Sequence, residues 1–538
     1  VTHIRRNAWT LHEQEGLWND TLLWYARAVA ELQKRPLLDR TSWRFLAAIH
    51  DFDAQTWADL GYFDIATEGP LLNQPALYAA FWSQCQHSNW LFLPWHRGYL
   101  LAFERIVRSA IVALGGPESW ALPYWNYNRD PRSGQIRRRI PPCFLERTLP
   151  NGDDNPLFLH ASRPIARNGL GPGGELVLRT GIDGRPDAIS DRNALSEPDF
   201  LGLDPRASSG FAGLNRGSGL LEQSPHNAVH ISIGGDRNPV GLMSQTSTAG
   251  LDPVFWLHHA NIDRLWEVWL KADPAHANPQ PNPDYATRTA PKDDWARGTI
   301  LQRFVLPTGD GGVWRFDPGQ MMDLSSEILD YAYDDVSDPY PEEKALRNRV
   351  FALGVPEDRI PPPDILEKAM REKTTVELLG ANDRALRLDA HGTETDMQID
   401  TGASKRLLRS FRSEALFEST PRLPDRVFLN LEDVRGTREG MLLDVYLNLP
   451  RDADPVAHPE SCVGTVSLFG LVQASRPESA HGGNGLHLKL EITSYVDALG
   501  LHPGSALQNL RVRLVPSTPL EEGDEISIGR ISLYRQGD

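Results

Sequence analysis

Imidazoles at short, regular spacing are the residues most able to do chemistry here. His226 and His230 stand four apart in Ser224-Pro225-His226-Asn227-Ala228-Val229-His230. If Ser224 caps and Pro225 opens a short helix, the two rings share one face, a common half of a metal site. His259 lies in the stretch Leu251 to Lys271, where Phe255, His259, Ile262, Trp266 and Trp269 recur at three- and four-residue steps. A histidine inside so apolar a face is either a core residue with one good hydrogen bond or a ligand. His96 follows Pro94-Trp95, and His87 comes shortly before. On one continuous helix these two would lie on opposite sides; a break at Pro94 lets them converge. Neutral imidazole suits several late transition metals, so the chemistry indicated is that of a metal centre.

Amphipathic helices must position these rings. Asp252-Pro253 supplies a cap and a first-turn proline for the helix carrying His259, and Asp273-Pro274 closes it. A second helix runs from Pro94 to Leu114, with Leu100, Phe103, Val107 and Ile111 on one face and Gly115-Gly116-Pro117 after it. Residues 1–60 carry tryptophan-rich helical patterns, in which Arg5 and Arg6 either pair with distant carboxylates or face solvent. The run Arg137-Arg138-Arg139 lies in a polar insertion and reads as a solvated face. Residues 166–220 read mainly as loop. Beyond 335 the chain is charged and broken by prolines, which predicts a linker over 336–375. From 376 to 538, apolar and polar residues alternate in short runs separated by turn residues, which predicts an all-β sandwich or jelly roll.

Length and composition bound the rest. A chain of 538 residues is long enough for two or three domains. A net charge of −16 argues against nucleic acid or an anionic membrane as partner. No apolar run is long enough to span a bilayer. The start, VTHIRRNAWTL, has no apolar signal core, which predicts a cytoplasmic protein or one exported without a visible signal. Three cysteines cannot build a disulfide framework.

Taken together, these segments resemble the type-3 copper family of tyrosinases, catechol oxidases and other polyphenol oxidases, with hemocyanins as oxygen-carrying relatives. The resemblance rests on His87…Leu93-Pro94-Trp95-His96-Arg97 and Phe103-Glu104-Arg105 for a first copper. For a second it rests on His226-x3-His230 and Asp252-Pro253-Val254-Phe255-Trp256-Leu257-His258-His259-x3-Asp263-Arg264. Tyr331-Ala332-Tyr333 is similar to the tyrosine motif that ends the family's catalytic domain. It implies a mainly α catalytic domain over 1–335, a helical bundle holding two copper ions. The third His of the first copper falls to His50, at the end of Trp43–His50. In the family the second His of the pair is the ligand, which carries over to His259 and leaves His258 as a neighbour. Six neutral imidazoles without a bridging carboxylate suit copper; zinc, the runner-up, has no redox chemistry. Dioxygen takes up electrons in pairs, one from each of two copper ions.

The resemblance also implies roles beyond the ligands. The reaction is ortho-hydroxylation of monophenols and oxidation of o-diphenols to o-quinones, with O2 as co-substrate and small phenols as substrates. Glu222 and Asn227 match a pair that holds a water proposed to deprotonate the monophenol. Cys85, in Cys85-x-His87, matches a cysteine that forms a thioether to the ring. Thr246 stands where some relatives carry a bulky Phe over the second copper, which implies a more open mouth. Phe255, one turn before His259, can pack against its ring. Asp263 and Arg97 read as structural. The β-domain resembles the C-terminal domain of plant polyphenol oxidases, which implies latency relieved when it is cleaved or loosened. Ala480-His481-Gly482-Gly483-Asn484-Gly485 is one candidate for the piece that reaches the site. An activating protease and a homo-oligomer are the protein partners left open. Competing readings are a catechol oxidase or o-aminophenol oxidase without monophenolase activity, and a hemocyanin-like oxygen carrier.

Overall fold

The computed structural model describes residues 3–537 apart from 160–165, 179, 182, 203, 205–208, 215–216, 279–303, 342–344, 354, 363–364, 367, 370–372, 374, 411–422, 478–481 and 501–508. Its helical half is built on α1 (Ala8–Glu15), α2 (Asp20–Gln33), α3 (Trp43–His50), α4 (Phe92–Ala113), α5 (Ala228–Gly234) and α6 (Pro253–Ala272). Each start has a local cause. Asn7, Asn19 and Ser42 cap α1, α2 and α3 by accepting from backbone N–H groups, and Asp252 accepts from the Val254 N–H at 2.9 Å to start α6. Helix α4 begins two residues before Pro94, which therefore falls in its first turn, where no N–H is required. Ser224 departs from expectation: its hydroxyl donates to the carbonyls of Ala188 and Ser190, both at 2.7 Å, and does not cap. It stays extended at φ −147°, ψ 121°, and a wide turn from Pro225 leads into α5.

One large apolar cluster unites these helices. Trp256 of α6 stacks on Phe103 of α4 with ring centroids 3.5 Å apart, and Trp43 of α3 meets both edge-on. Behind this packing lies a buried charge hub. Asp263 of α6 accepts from Arg97 of α4 at 2.5 Å, from Arg5 at 3.2 Å, and from the hydroxyls of Tyr331 and Tyr333 at 2.6 and 2.5 Å. Arg5 lies on β1 (His3–Arg5), which pairs in parallel with β2 (Tyr331–Tyr333), so the hub fastens both ends of this half to its two long helices. Arg5 thus takes the buried alternative left open by the sequence, and Asp263 and Arg97 are structural, as read. The arginine run lies at the surface, as read, and is paired there: Arg137 with Glu13, Arg138 with Asp187 and the exposed Arg139 with Glu175.

After β2 the chain forms a short helix, Ala345–Ala352, over a small apolar cluster of Val350, Val355, Leu366, Ala369 and Leu423. A β-rich fold follows, with strands β3 (Thr375–Ala381), β4 (Leu386–Arg387), β5 (Thr393–Ile399), β6 (Arg426–Gly436), β7 (Leu442–Leu447), β8 (Cys462–Ser467), β9 (Leu486–Glu491), β10 (Asn509–Pro516) and β11 (Ile526–Gly537), and with helices Thr401–Ser410, Leu471–Ser475 and Thr493–Gly500 that the alternation did not predict. They form one nine-stranded sheet in the order β8-β7-β10-β5-β3-β11-β6-β9, with β4 also on β11. The sheet curls until its end strands β8 and β9 approach, and its apolar residues fill a second core. No described helix is long and apolar enough to cross a membrane.

Candidate dicopper site

Each imidazole is carried by an element already fixed for other reasons. His50 is the last residue of α3, and the backbone there holds the next loop: Gln84 N–H donates to Ile49 O at 3.0 Å and Cys85 N–H to His50 O at 3.3 Å. That pairing delivers His87 beside His50. His96 lies in the second turn of α4, His226 and His230 flank the start of α5, and His259 sits mid-way along α6. All six are buried. Two groups result. The rings of His50, His87 and His96 lie 5.3 to 5.9 Å apart. Those of His226, His230 and His259 lie 4.6 to 5.5 Å apart. The groups face each other: His96 stacks on His259 at 4.5 Å, and His87 is 5.8 Å from His226.

Hydrogen bonds decide which nitrogen is left for a metal. His50 Nδ1 faces the Thr246 carbonyl at 2.7 Å, His96 Nδ1 the Phe92 carbonyl at 2.8 Å, and His230 Nδ1 the Met243 carbonyl at 2.8 Å. A carbonyl only accepts, so Nδ1 carries the proton and Nε2 presents its lone pair inward. His226 Nδ1 is held instead by the Asn227 side-chain oxygen at 2.8 Å. His50 Nε2 and His226 Nε2 are buried without a protein partner, a costly arrangement that a metal would relieve. Burial lowers the His50 pKa to about 4, and burial together with neighbouring imidazoles pushes His96, His226, His230 and His259 well below the usual value. These five rings are therefore neutral near neutral pH, as metal ligands must be. The donor set fits two copper ions: all-imidazole, uncharged, in two adjoining groups.

The surroundings add four features. Cys85 Sγ lies 3.5 Å from His87 Nδ1, 3.7 Å from His87 Nε2 and 3.4 Å from His96 Nε2. Glu222 is buried; one carboxylate oxygen accepts from Ser88 N–H at 2.7 Å and the other has no partner. Burial raises its pKa to about 8, against the pull of the Ser88 and Ser218 hydrogen bonds. Phe255 packs 4.2 Å from the His259 ring and 5.1 Å from that of His50. Thr246 departs from the open-mouth expectation: it is buried, its carbonyl orients His50, and its methyl lies against Gly470 of the β-domain.

The sequence missed what covers the site. Phe469, in the turn after β8, stacks on His230 with centroids 4.3 Å apart and planes 24° apart, and meets His87 and His226 edge-on. Gly470 behind it has φ +78°, a left-handed conformation that admits glycine at little cost. Of the stretch proposed from sequence, 480–485, Ala480 and His481 lie outside the described residues, and Gly485 N–H is bonded within the β-domain to Ala474 O at 3.0 Å. A Phe-Gly step between a strand and a short helix was the available signal. Tyr127 was also passed over; its hydroxyl lies 3.2 Å from His258 Nδ1.

Known proteins carry the same pattern. Residues 40–272 match the family described as the common central domain of tyrosinase, and residues 375–536 match a domain of unknown function. The tyrosinase HcTyr1 of Hahella sp. (strain CCB-MM4) is 30% identical over 533 residues, covering 97% of this chain and 98% of its own. The chloroplastic polyphenol oxidase of spinach (Spinacia oleracea) is 29% identical over 285 residues, 50% of this chain and 39% of its own. Among solved structures, latent apple tyrosinase matches 100% of this chain and 97% of its own at 18% identity and TM-score 0.55, a likeness of fold. With a full-length relative at this identity and both metal-binding segments in order, the chain belongs to the tyrosinase family.

Proposed function

We propose that this chain oxidises phenols with O2, hydroxylating monophenols at the ortho position and converting o-diphenols to o-quinones. Residues 1–335 are the catalytic unit, 336–375 the tether, and 376–538 a covering domain that keeps the intact chain latent. The observation that carries this reading is the Phe469 ring lodged on His230 at 4.3 Å: the space over the imidazoles accepts a flat aromatic ring, and the chain's own phenyl fills it.

His50, His87 and His96 would hold one copper, and His226, His230 and His259 the other. Bound copper supplies the one-electron redox steps that let O2 react with a phenol. The protein's part is placement and proton handling. A phenol keeps its proton to a pKa near 10, so a base must take it. Glu222, with one oxygen unpartnered, and Asn227, beside His226, would hold a water for that purpose. Phe255 buttresses His259 from below. A thioether from Cys85 would fix the ring of His87.

Phe469→Ala, prepared as copper-loaded full-length protein, tests the reading. Quinone formation from tyramine and from catechol is expected to rise at least several-fold over the uncleaved parent. No turnover of either substrate, with O2 still bound reversibly, would establish the oxygen carrier instead. Turnover of catechol alone would establish the catechol oxidase.

A further inference from the structure

The turn that carries His87 holds an unusual backbone. Ser83 and Ser88 both have φ +53°, the left-handed region that residues other than glycine seldom occupy. Such conformations persist only where the surroundings over-determine them, and they cluster at working sites.

At Ser88 those surroundings can be named. Its carbonyl accepts from the Gly217 N–H at 2.8 Å, and its hydroxyl lies 3.1 Å from that of Ser218. Gly217–Ser218 is one side of a short antiparallel pair whose other side is Gly213–Leu214. Lys489 of β9 closes over this pair: a Cβ added at Gly217 would meet its Nζ at 3.2 Å. Asn89 Nδ2 donates to the His87 carbonyl at 2.9 Å and so fixes the residue before. The chain direction taken at Ser88 sends its remaining polar group, the main-chain N–H, onto Glu222 Oε1 at 2.7 Å, and both residues are buried. A main-chain donor cannot swing away as a side chain can. One oxygen of Glu222 is thereby held, and the other, Oε2, has no partner among the described residues. Neighbours in sequence thus serve both halves of the site. The His87 ring joins the first group of imidazoles, and the Ser88 N–H holds the carboxylate that precedes the second.

We infer that Ser88 is a positioning residue for the base: its left-handed backbone, braced by Gly217 and Ser218, aims an N–H at Glu222 so that the second carboxylate oxygen stays free to draw the proton from a monophenol. The inference rests on the reading of Glu222 given above.

Two variants separate backbone from side chain. Ser88→Gly adopts the left-handed backbone at little cost and loses only the hydroxyl. Ser88→Val opposes that backbone, because a β-branched residue at positive φ is an outlier. In the full-length copper-loaded chain, Ser88→Val is expected to lower the tyramine-to-catechol rate ratio about 10-fold or more, a part of what a placed acid–base group supplies. Ser88→Gly should stay closer to the parent. With Glu222→Gln already present, Ser88→Val should lower the ratio no further. Copper per chain, measured on every variant, normalises the rates. A second readout needs no turnover: hydrogen exchange of the Ser88 amide in the full-length chain, resolved by fragmentation mass spectrometry. It should quicken about 10-fold or more in Glu222→Ala, where the acceptor is gone. An unchanged exchange rate overturns the inference. Equal ratios in the Gly and Val variants do so too, as does an equal fall of tyramine and catechol turnover, which a merely structural turn would give. If Ser88→Val does not fold, Ser218→Ala unbraces the turn from the other side: faster exchange at Ser88 and a lower ratio are expected, and no change in either overturns the inference. If Glu222→Gln leaves the ratio untouched while exchange at Ser88 responds to Glu222→Ala, the contact stands but the reading of Glu222 as the base fails, and the inference with it.

Discussion

At the scale of single residues, burial sets the chemistry. Glu222 has a pKa near 8 because its carboxylate is cut off from water. Two copper ions nearby would favour the charged form, so the holoenzyme should titrate at or below that value. A base works only when ionised, so the monophenol-to-diphenol rate ratio should climb as pH rises through this transition. In Glu222→Gln it should be low and flat, and Asn227→Gly should lower it also; an unchanged ratio in both would refute the water-holding pair. The histidines give the opposite sign. His50 has a pKa of about 4 in the fold against about 6.5 in an unfolded chain, so the unfolded state takes the proton first. Metal-free protein should thus keep this contribution above pH 6.5 and lose it progressively as pH falls, by about 3 kcal/mol near pH 4 for His50 alone. Urea titrations of the apoprotein at several pH values would measure it. For Cys85, the intact mass of copper-loaded protein should fall by two hydrogens. Full labelling of Cys85 by a thiol reagent after denaturation would exclude the crosslink.

At the scale of elements, the helices hold their angles through the Asp263 hub as well as through apolar packing. Arg5 and Arg97 are both fully buried, and both depend on Asp263 for part of their counter-charge. Removing one partner of a buried ion pair costs about 3–5 kcal/mol, because the charge left behind stays desolvated. Asp263→Ala is therefore expected to lower stability by that order in chemical denaturation, and more than Asp263→Asn, which can still accept from the tyrosine hydroxyls. The strands β1 and β2, held at the same hub, should be the first elements to lose hydrogen-exchange protection in the variant.

For the whole molecule, the covering domain is attached in a way suited to release. Arg426 of β6 pairs with Glu197 across the interface at 2.7 Å and with Glu491 of its own domain at the same distance. Arg185 reaches across to Asp444 at 2.8 Å and also pairs with its neighbour Asp183. Arg438 donates across to Asp236 O at 2.9 Å while bonded to Asp524 at 2.8 Å within its own domain. Each cation keeps a carboxylate at home when the domains part, so undocking strands no arginine. Glu197→Gln should accordingly loosen docking without weakening the β-fold. Basal turnover of the uncleaved chain should rise several-fold and proteolysis within 336–425 should quicken, while unfolding of the β-domain stays unchanged. If the cleaved catalytic unit proves no faster than the intact chain, latency is refuted.

The sequence alone determined the local elements and the ligand candidates. Spacing paired His226 with His230 although Ser224 does not cap, the Asp252 cap and Pro253 placed His259 on its helix, and α3 and α6 run nearly as expected, because those signals act over a few residues. It also separated an α half from a β half, since the periods of the two patterns differ. Tertiary structure decided what depends on residues far apart in the chain. The carbonyls of Thr246, Phe92 and Met243 choose the free nitrogen of three imidazoles, Asp263 gathers partners from both ends of the catalytic half, and Phe469 arrives over the site from the other domain. No periodicity encodes such meetings; they exist only once two cores have formed and their surfaces have met.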